Sequence, residues 1–243
     1  MLIDLHVHTH RTPGGALRPL DVLTRARARG LDGVAFTDLD TLEALPEVRA
    51  AASQTGVLAL LGLTLATDHG RFLCYFAAPE RLAPVGELFG SGPRPVRAAL
   101  ARVVSLGGLA VAAHPYDKTL APPCADALFT LDGIAAIEGL HGRSRSGAND
   151  LAVEAADHLG LPCIGGSGAL GSLDELGRAA TLFREPVADE AGLVAQLRAG
   201  ACWAAALGVK LSAPSAPAFR PGTRRDVSPS ARPTPRSRPA GRS

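Results

Sequence analysis

Asp4-Leu5-His6-Val7-His8-Thr9 is the stretch on which the fold of this 243-residue chain turns. Residues 2–5 form a short apolar run of the kind that makes a buried strand, and His6 and His8 end it. Side chains two positions apart on a strand share a face with α-carbons about 7 Å apart, so both imidazoles can reach one metal ion. Two half-exposed histidines at a strand terminus are the plain alternative, and the rest of the chain has to decide between them.

Working outward, the same unit recurs. Residues 33–37, 57–66, 109–113, 133–138, 162–166 and 180–183 read as strands, with 71–76 as a hairpin partner and 202–207 closing the set. Between them lie helical stretches: one with Pro19 in its first turn and Gly30 after its end, then residues 42–52, 95–106, 149–159 and 190–199. About seven βα units, several with strands apolar on both faces, predict an α/β fold with a parallel sheet covered by helices. Polar residues recur at strand ends all along the chain. In a closed barrel those ends converge on one mouth, whereas an open doubly wound sheet collects them at a single crevice, so a barrel over residues 1–211 is expected.

Composition adds a second part. Lys+Arg 25 against Asp+Glu 23 gives a net charge of +2, which argues against a dedicated nucleic-acid binder. Residues 212–243, however, hold seven Arg, seven Pro and one Asp, a local charge of +6, leaving −4 on residues 1–211. Such a Pro/Arg/Ser-rich tail buries too little surface to offset its ordering entropy, so it is expected to be disordered and is a candidate for polyanion or nucleic-acid contact. No apolar run is long enough to span a bilayer, and the first residues lack a basic leader, so neither a membrane span nor a signal peptide is expected. Cys74, Cys124, Cys163 and Cys202 lie far apart with no C-x-x-C pair, which fits a reduced cytoplasmic setting.

Three further strand ends carry candidate ligands: Thr37-Asp38, Ala113-His114-Pro115 and Ile137-Glu138. The series Asp4-Leu5-His6-Val7-His8-Thr9, Ala35-Phe36-Thr37-Asp38-Leu39-Asp40-Thr41 and Ala113-His114-Pro115-Tyr116, followed by Gly165-Gly166-Ser167, resembles the PHP (polymerase and histidinol phosphatase) domain family over residues 1 to about 185. The resemblance implies a distorted (β/α)7 TIM-like barrel. It also implies a mouth holding two or three divalent metals (zinc, manganese or iron) that hydrolyses phosphate esters, where metal lowers the pKa of bound water.

Several positions depart from what the resemblance implies. Leu39 stands where a histidine ligand is expected, Thr64 where a bridging glutamate is, and Gly168 and Leu170 where the last motif has aspartate and histidine. Pro13 or Gly14 replaces an acidic residue, and Arg71 falls near another histidine position. The surviving metal set is His6, His8 and His114, holding one ion or none, with Asp38 orienting a ligand histidine and Arg71 binding phosphate. His10, His69 and His141 are read as surface histidines, and His158 as a helix-end cation.

Gly166-Ser167-Gly168-Ala169-Leu170-Gly171 matches G-x-G-x-x-G, but outside the first βαβ unit where a dinucleotide loop belongs, and is read as coincidence. Two functions follow: a phosphoesterase with an altered, weakly active site acting on a phosphorylated small molecule, nucleotide or nucleic-acid end, or an inactive relative with a binding or regulatory role. On the inactive reading, Leu39→His, Thr64→Glu, Gly168→Asp and Leu170→His together would rebuild metal uptake.

Overall fold

The computed structural model describes residues 1–208, so the tail expected over 212–243 lies outside the described residues. Strands β1 (Leu2–Val7), β2 (Gly33–Leu39), β3 (Leu58–Thr67), β4 (Gly70–Tyr75), β5 (Leu109–Ala113), β6 (Ile134–His141), β7 (Cys163–Gly166), β8 (Ala179–Phe183) and β9 (Cys202–Ala206) make one sheet. Its order is β7-β6-β5-β4-β3-β2-β1-β8-β9. Seven strands run the same way, and only β4 and β8 run against them. The sheet is therefore mixed rather than all-parallel. The two-residue Asp68-His69 turn between β3 and β4 is too short for a crossover and forces that pair antiparallel.

The loop leaving β7 closes the ring. His8 N–H donates to the Ala169 carbonyl at 2.8 Å and Gly168 N–H to the His6 carbonyl at 2.7 Å, so β1 is paired on the side opposite β2. The result is a nearly closed barrel of the expected class. No helix follows the Gly166–Gly171 segment, and its backbone is bound to β1, which agrees with the coincidental reading of its glycines.

Apolar residues separate into layers. Ile3, Leu5, Ala35, Leu60, Leu73, Tyr75, Val111, Ala136 and Ile164 fill the barrel interior. The far end is capped by α6 (Glu190–Arg198), whose Leu193, Val194 and Leu197 join that cluster and whose Arg198 donates to the Gly107 carbonyl at 2.8 Å. Outside, α1 (Pro19–Ala28) and α2 (Leu45–Thr55) cover β1 to β3. Past the short α3 (Val85–Phe89), α4 (Val96–Ser105) and α5 (Ser146–Leu159) cover β3 to β6. Gly62 has a packing reason for lacking a side chain: a β-carbon there would stand 2.7 Å from the Tyr75 ring, whose hydroxyl donates to the Leu5 carbonyl at 2.6 Å. No helix among the described residues is long and apolar enough to cross a membrane.

Two irregularities aim side chains at the mouth. Between Asp4 and Val7 the β1–β2 register shifts, so Ile3 and Leu5 face inward while Val7 turns out against Val22 and Phe36. That bulge delivers His6 and His8 to the interior. A second shift, between Glu138 and Leu140, lies in the β6–β7 pairing. The expectation that this strand stops at Glu138 is corrected here: it continues to His141, hidden in the sequence because Gly139 breaks the apolar pattern. A β-carbon at Gly139 would overlap Cys163 Sγ, so the close approach of β7 demands the glycine.

Candidate metal centre

At the mouth the ends of β1, β5 and β6 bring four imidazoles and one carboxyl together. Ring centroids are 5.0 Å apart for His6–His8, 5.9 Å for His6–His114, 5.2 Å for His6–His141 and 5.0 Å for His114–His141. The reading of His141 as a surface histidine is overturned: it is 2 % exposed and sits inside the cluster. His10 beside Glu47 and His69 in the β3–β4 turn stay outside it, and His158 lies in the last turn of α5.

Hydrogen bonds fix the orientation of the first histidine pair. Thr12 Oγ1 donates to Asp38 Oδ1 at 2.7 Å and accepts Leu39 N–H at 3.0 Å, so its remaining lone pair accepts His8 Nδ1–H at 3.1 Å. Asp38 also accepts Thr9 N–H and Thr9 Oγ1–H, each at 2.6 Å. It therefore reaches His8 through Thr12 and does not face the cavity. With Nδ1 protonated, His8 presents the Nε2 lone pair inward, where it meets His6 Nε2 at 3.1 Å. His6 Nδ1 faces Glu138 Oε1 at 2.8 Å, and Glu138 Oε2 accepts His114 N–H at 2.8 Å.

Burial governs the charges. It lowers His6 to about 3 and His114 to about 4, and holds His8 and His141 well below the usual histidine range, with neighbouring imidazoles and arginines adding to the effect. All four rings are neutral at neutral pH and keep a lone pair for a ligand. Burial also pushes Glu138 up to about 8, against the pull of His114.

These donors fit a divalent cation. Two zinc–nitrogen bonds of about 2.1 Å at 90–110° span roughly 3.0–3.4 Å, and the 3.1 Å between the two Nε2 atoms lies within that bite. His6, Glu138 and His141 also have ligand atoms within 4.8 Å of one another, so His6 belongs to both groupings. Thr64, in contrast, donates to the Thr37 carbonyl at 2.7 Å and offers nothing to the mouth.

A cavity of about 210 Å³ opens above these groups, lined by His6, His8, His114 and His141 together with Arg71 and Arg143. Arg143, which sequence reasoning passed over, donates to the Gly168 carbonyl at 3.2 Å and approaches Glu175 at 3.5 Å. Among the described residues no carboxylate lines the cavity, so it is a cationic recess suited to an anion.

Beneath the metal donors, Asp4 ties β1 to the loop after β7. Its fully buried carboxyl accepts Ser167 N–H at 2.8 Å, Gly177 N–H at 2.9 Å and His6 N–H at 3.2 Å. Asp4→Ala leaves three buried donors unpaired at about 1 kcal/mol or more each, so urea unfolding should show a loss of about 3 kcal/mol. A loss under about 1 kcal/mol would mean that the loop repairs itself with water.

Comparison with known proteins gives consistent relatives. The PHP domain profile matches residues 4–120 and the PHP-associated profile residues 146–202. An uncharacterised protein of Methanocaldococcus jannaschii is 26% identical over 156 residues, covering 58% of this chain and 84% of that protein. The 3',5'-nucleoside bisphosphate phosphatase of Chromobacterium violaceum is 44% identical over 69 residues, 28% of this chain and 24% of that enzyme. Among solved structures, a protein described as an amidohydrolase from Chromobacterium violaceum, with bound sulfate and no metal, superposes at TM-score 0.59 and 20% identity over 84% of this chain and 97% of that one. An endonuclease Q complexed with a 27-mer duplex bearing an abasic lesion also gives 0.59, at 17% identity over 82% of this chain and 57% of that one. The order of the motifs, the barrel and the two profiles converge: the chain belongs to the PHP domain family.

Proposed function

We propose that the protein is a metal-dependent phosphoesterase whose altered mouth hydrolyses a phosphorylated small molecule, a nucleotide or a nucleic-acid end. The observation that carries this reading is the seating of His6, His8, His114 and His141 beside Arg71 and Arg143 on one cavity, with Glu138 buried against His6 and within reach of His141. Zinc, manganese or iron fits the donors, and a single ion is the stoichiometry expected with Thr64, Gly168 and Leu170 in place of further ligands. Bound there, the metal supplies positive charge to phosphate oxygens and lowers the pKa of water.

The chain's own residues do the remaining work. Arg71 and Arg143 offset phosphate charge and orient it through bidentate donors. Asp38, through Thr12, keeps His8 in the tautomer that presents Nε2, and Glu138 does the same for His6 when ionised. A cytoplasmic setting belongs to this reading and is supported by four free cysteines. So does a two-part chain, a barrel over residues 1–211 followed by a basic tail over 212–243 that contacts nucleic acid. The nucleotide side of the proposal draws on the bisphosphate phosphatase resemblance, which is local.

Protein purified without chelators is expected to carry about one metal ion per chain and to hydrolyse p-nitrophenyl phosphate. Arg71→Ala should keep the metal and lose roughly tenfold to a hundredfold in kcat/KM, mostly through KM. Wild-type protein with under a tenth of an equivalent of metal and no turnover after metal addition would refute the proposal.

A further inference from the structure

The cavity has two unlike zones. One is the histidine cluster with the two arginines, and the other is Pro13, Leu39, Leu120 and Leu170. Pro13, Leu120 and Leu170 come from the connections after β1, β5 and β7, and Leu39 is the last residue of β2. Pro13 is exposed and the three leucines are half-buried, and none of the four belongs to the packed apolar clusters of the barrel. Core packing does not account for apolar side chains placed beside a charged recess. Apolar side chains that line a pocket around convergent polar groups are what a ligand's organic part packs against. The two hydroxyls on the same lining are already engaged: Thr12 Oγ1 donates to Asp38 Oδ1 at 2.7 Å and Thr119 Oγ1 to Asp117 Oδ1 at 2.6 Å.

We infer that Pro13, Leu39, Leu120 and Leu170 form an apolar collar that selects phosphomonoesters whose organic group, next to the phosphate, is a compact apolar ring, such as an aryl ester. The cationic floor takes the phosphate and the collar takes the ring. The volume agrees: about 210 Å³ accommodates a phosphate and one ring but no extended chain. Sugar and glycerol phosphates would set hydroxyls against leucine and lose hydrogen bonds to water without replacement. An internal phosphodiester would have to send a second ester arm into the collar or the floor. This inference rests on the phosphoesterase reading, because it needs the phosphate to sit on the floor, and within that reading it selects the phosphorylated small molecule over the nucleotide and the nucleic-acid end, whose phosphates are sugar esters.

Non-hydrolysable phosphonates separate the two. Phenylphosphonate and methylphosphonate share the anionic head and differ only in the group the collar would touch. Calorimetric titration of the zinc-loaded full chain should give phenylphosphonate a Kd at least tenfold lower, the gain expected from burying one ring face. In Leu39→Asn/Leu170→Asn the ratio should fall below about threefold. Should that variant not fold, hydroxymethylphosphonate and cyclohexylphosphonate extend the series on the wild type, and affinity should follow apolar area. Equal binding of phenyl and methyl compounds by folded wild-type protein overturns the collar and leaves the phosphate site standing. Binding of neither overturns the phosphoesterase reading, and the collar falls with it.

Discussion

His6→Ala is expected to weaken metal binding by roughly a hundredfold or more and to remove phosphoester hydrolysis with it, the largest effect of any single histidine deletion at the mouth. His6 is the one residue in both donor groupings: its Nε2 lies 3.1 Å from His8 Nε2, and it shares a ligand set with Glu138 and His141. Its removal also strands Glu138, a fully buried carboxyl that would keep only His114 N–H as a partner. His114→Ala should cost much less, because the contact His114 makes with Glu138 runs through its backbone N–H and survives truncation. Metal titration followed through cobalt absorption, with circular dichroism to verify folding, reads this directly. A folded His6→Ala protein that keeps wild-type affinity, or a greater loss in His114→Ala, would overturn the ranking.

Much of the barrel was legible, and the reason is periodicity. The interior strand Leu109–Ala113 is read residue for residue because Gly108 before it and His114-Pro115 after it punctuate an unbroken apolar run. Helix starts drift more. The second helix begins at Leu45 rather than residue 42, since Pro46 belongs in a first turn. Strand direction was only partly legible: β8 pairs antiparallel with β1, and no local residue pattern announces that.

The site was legible where ligand candidates stand two apart and obscure where a bulge regroups residues three apart. His6 and His8 could be placed on one face because they are two apart. Glu138 and His141 are three apart, and a regular strand sends such residues to opposite faces. The register shift after Glu138 brings the ligand atoms of both within 4.8 Å of each other. A bulge depends on what the neighbouring strand does, so it leaves little trace in the sequence of the bulged strand itself. Gly139 was the available clue, since an isolated glycine within a strand pattern points to a bulge or a close backbone approach. Arg143 escaped notice for a different reason: in a chain with 23 arginines, one more on a loop carries no signal until its neighbours are known.

Returning aspartate to position 168 is expected to damage the site rather than repair it. Gly168 has φ +64, and a β-carbon there would lie 1.9 Å from His141 Nε2, so that ring occupies the space an aspartate would need. The loop cannot yield easily, because Gly168 N–H is bonded to the His6 carbonyl at 2.7 Å and its own carbonyl accepts Arg143. Gly168→Asp must therefore expel His141 or break the join between β1 and the β7 loop. Either course costs about 2 kcal/mol or more, including about 1 kcal/mol for a side chain in left-handed backbone. Metal affinity should drop about tenfold or more as His141 leaves the donor set. The four-residue restoration of Leu39, Thr64, Gly168 and Leu170 should fail for the same reason unless His141 is shortened as well. Adding His141→Asn to Gly168→Asp removes the overlap and leaves only the backbone strain, recovering about half of the lost stability or more, so the two positions will be non-additive in a double-mutant cycle by at least about 1 kcal/mol. Thermal unfolding and metal titration of the two single variants and the double variant test this. Simple additivity, or a Gly168→Asp protein as stable and metal-avid as the wild type, would show that residues 141 and 168 do not compete for one space.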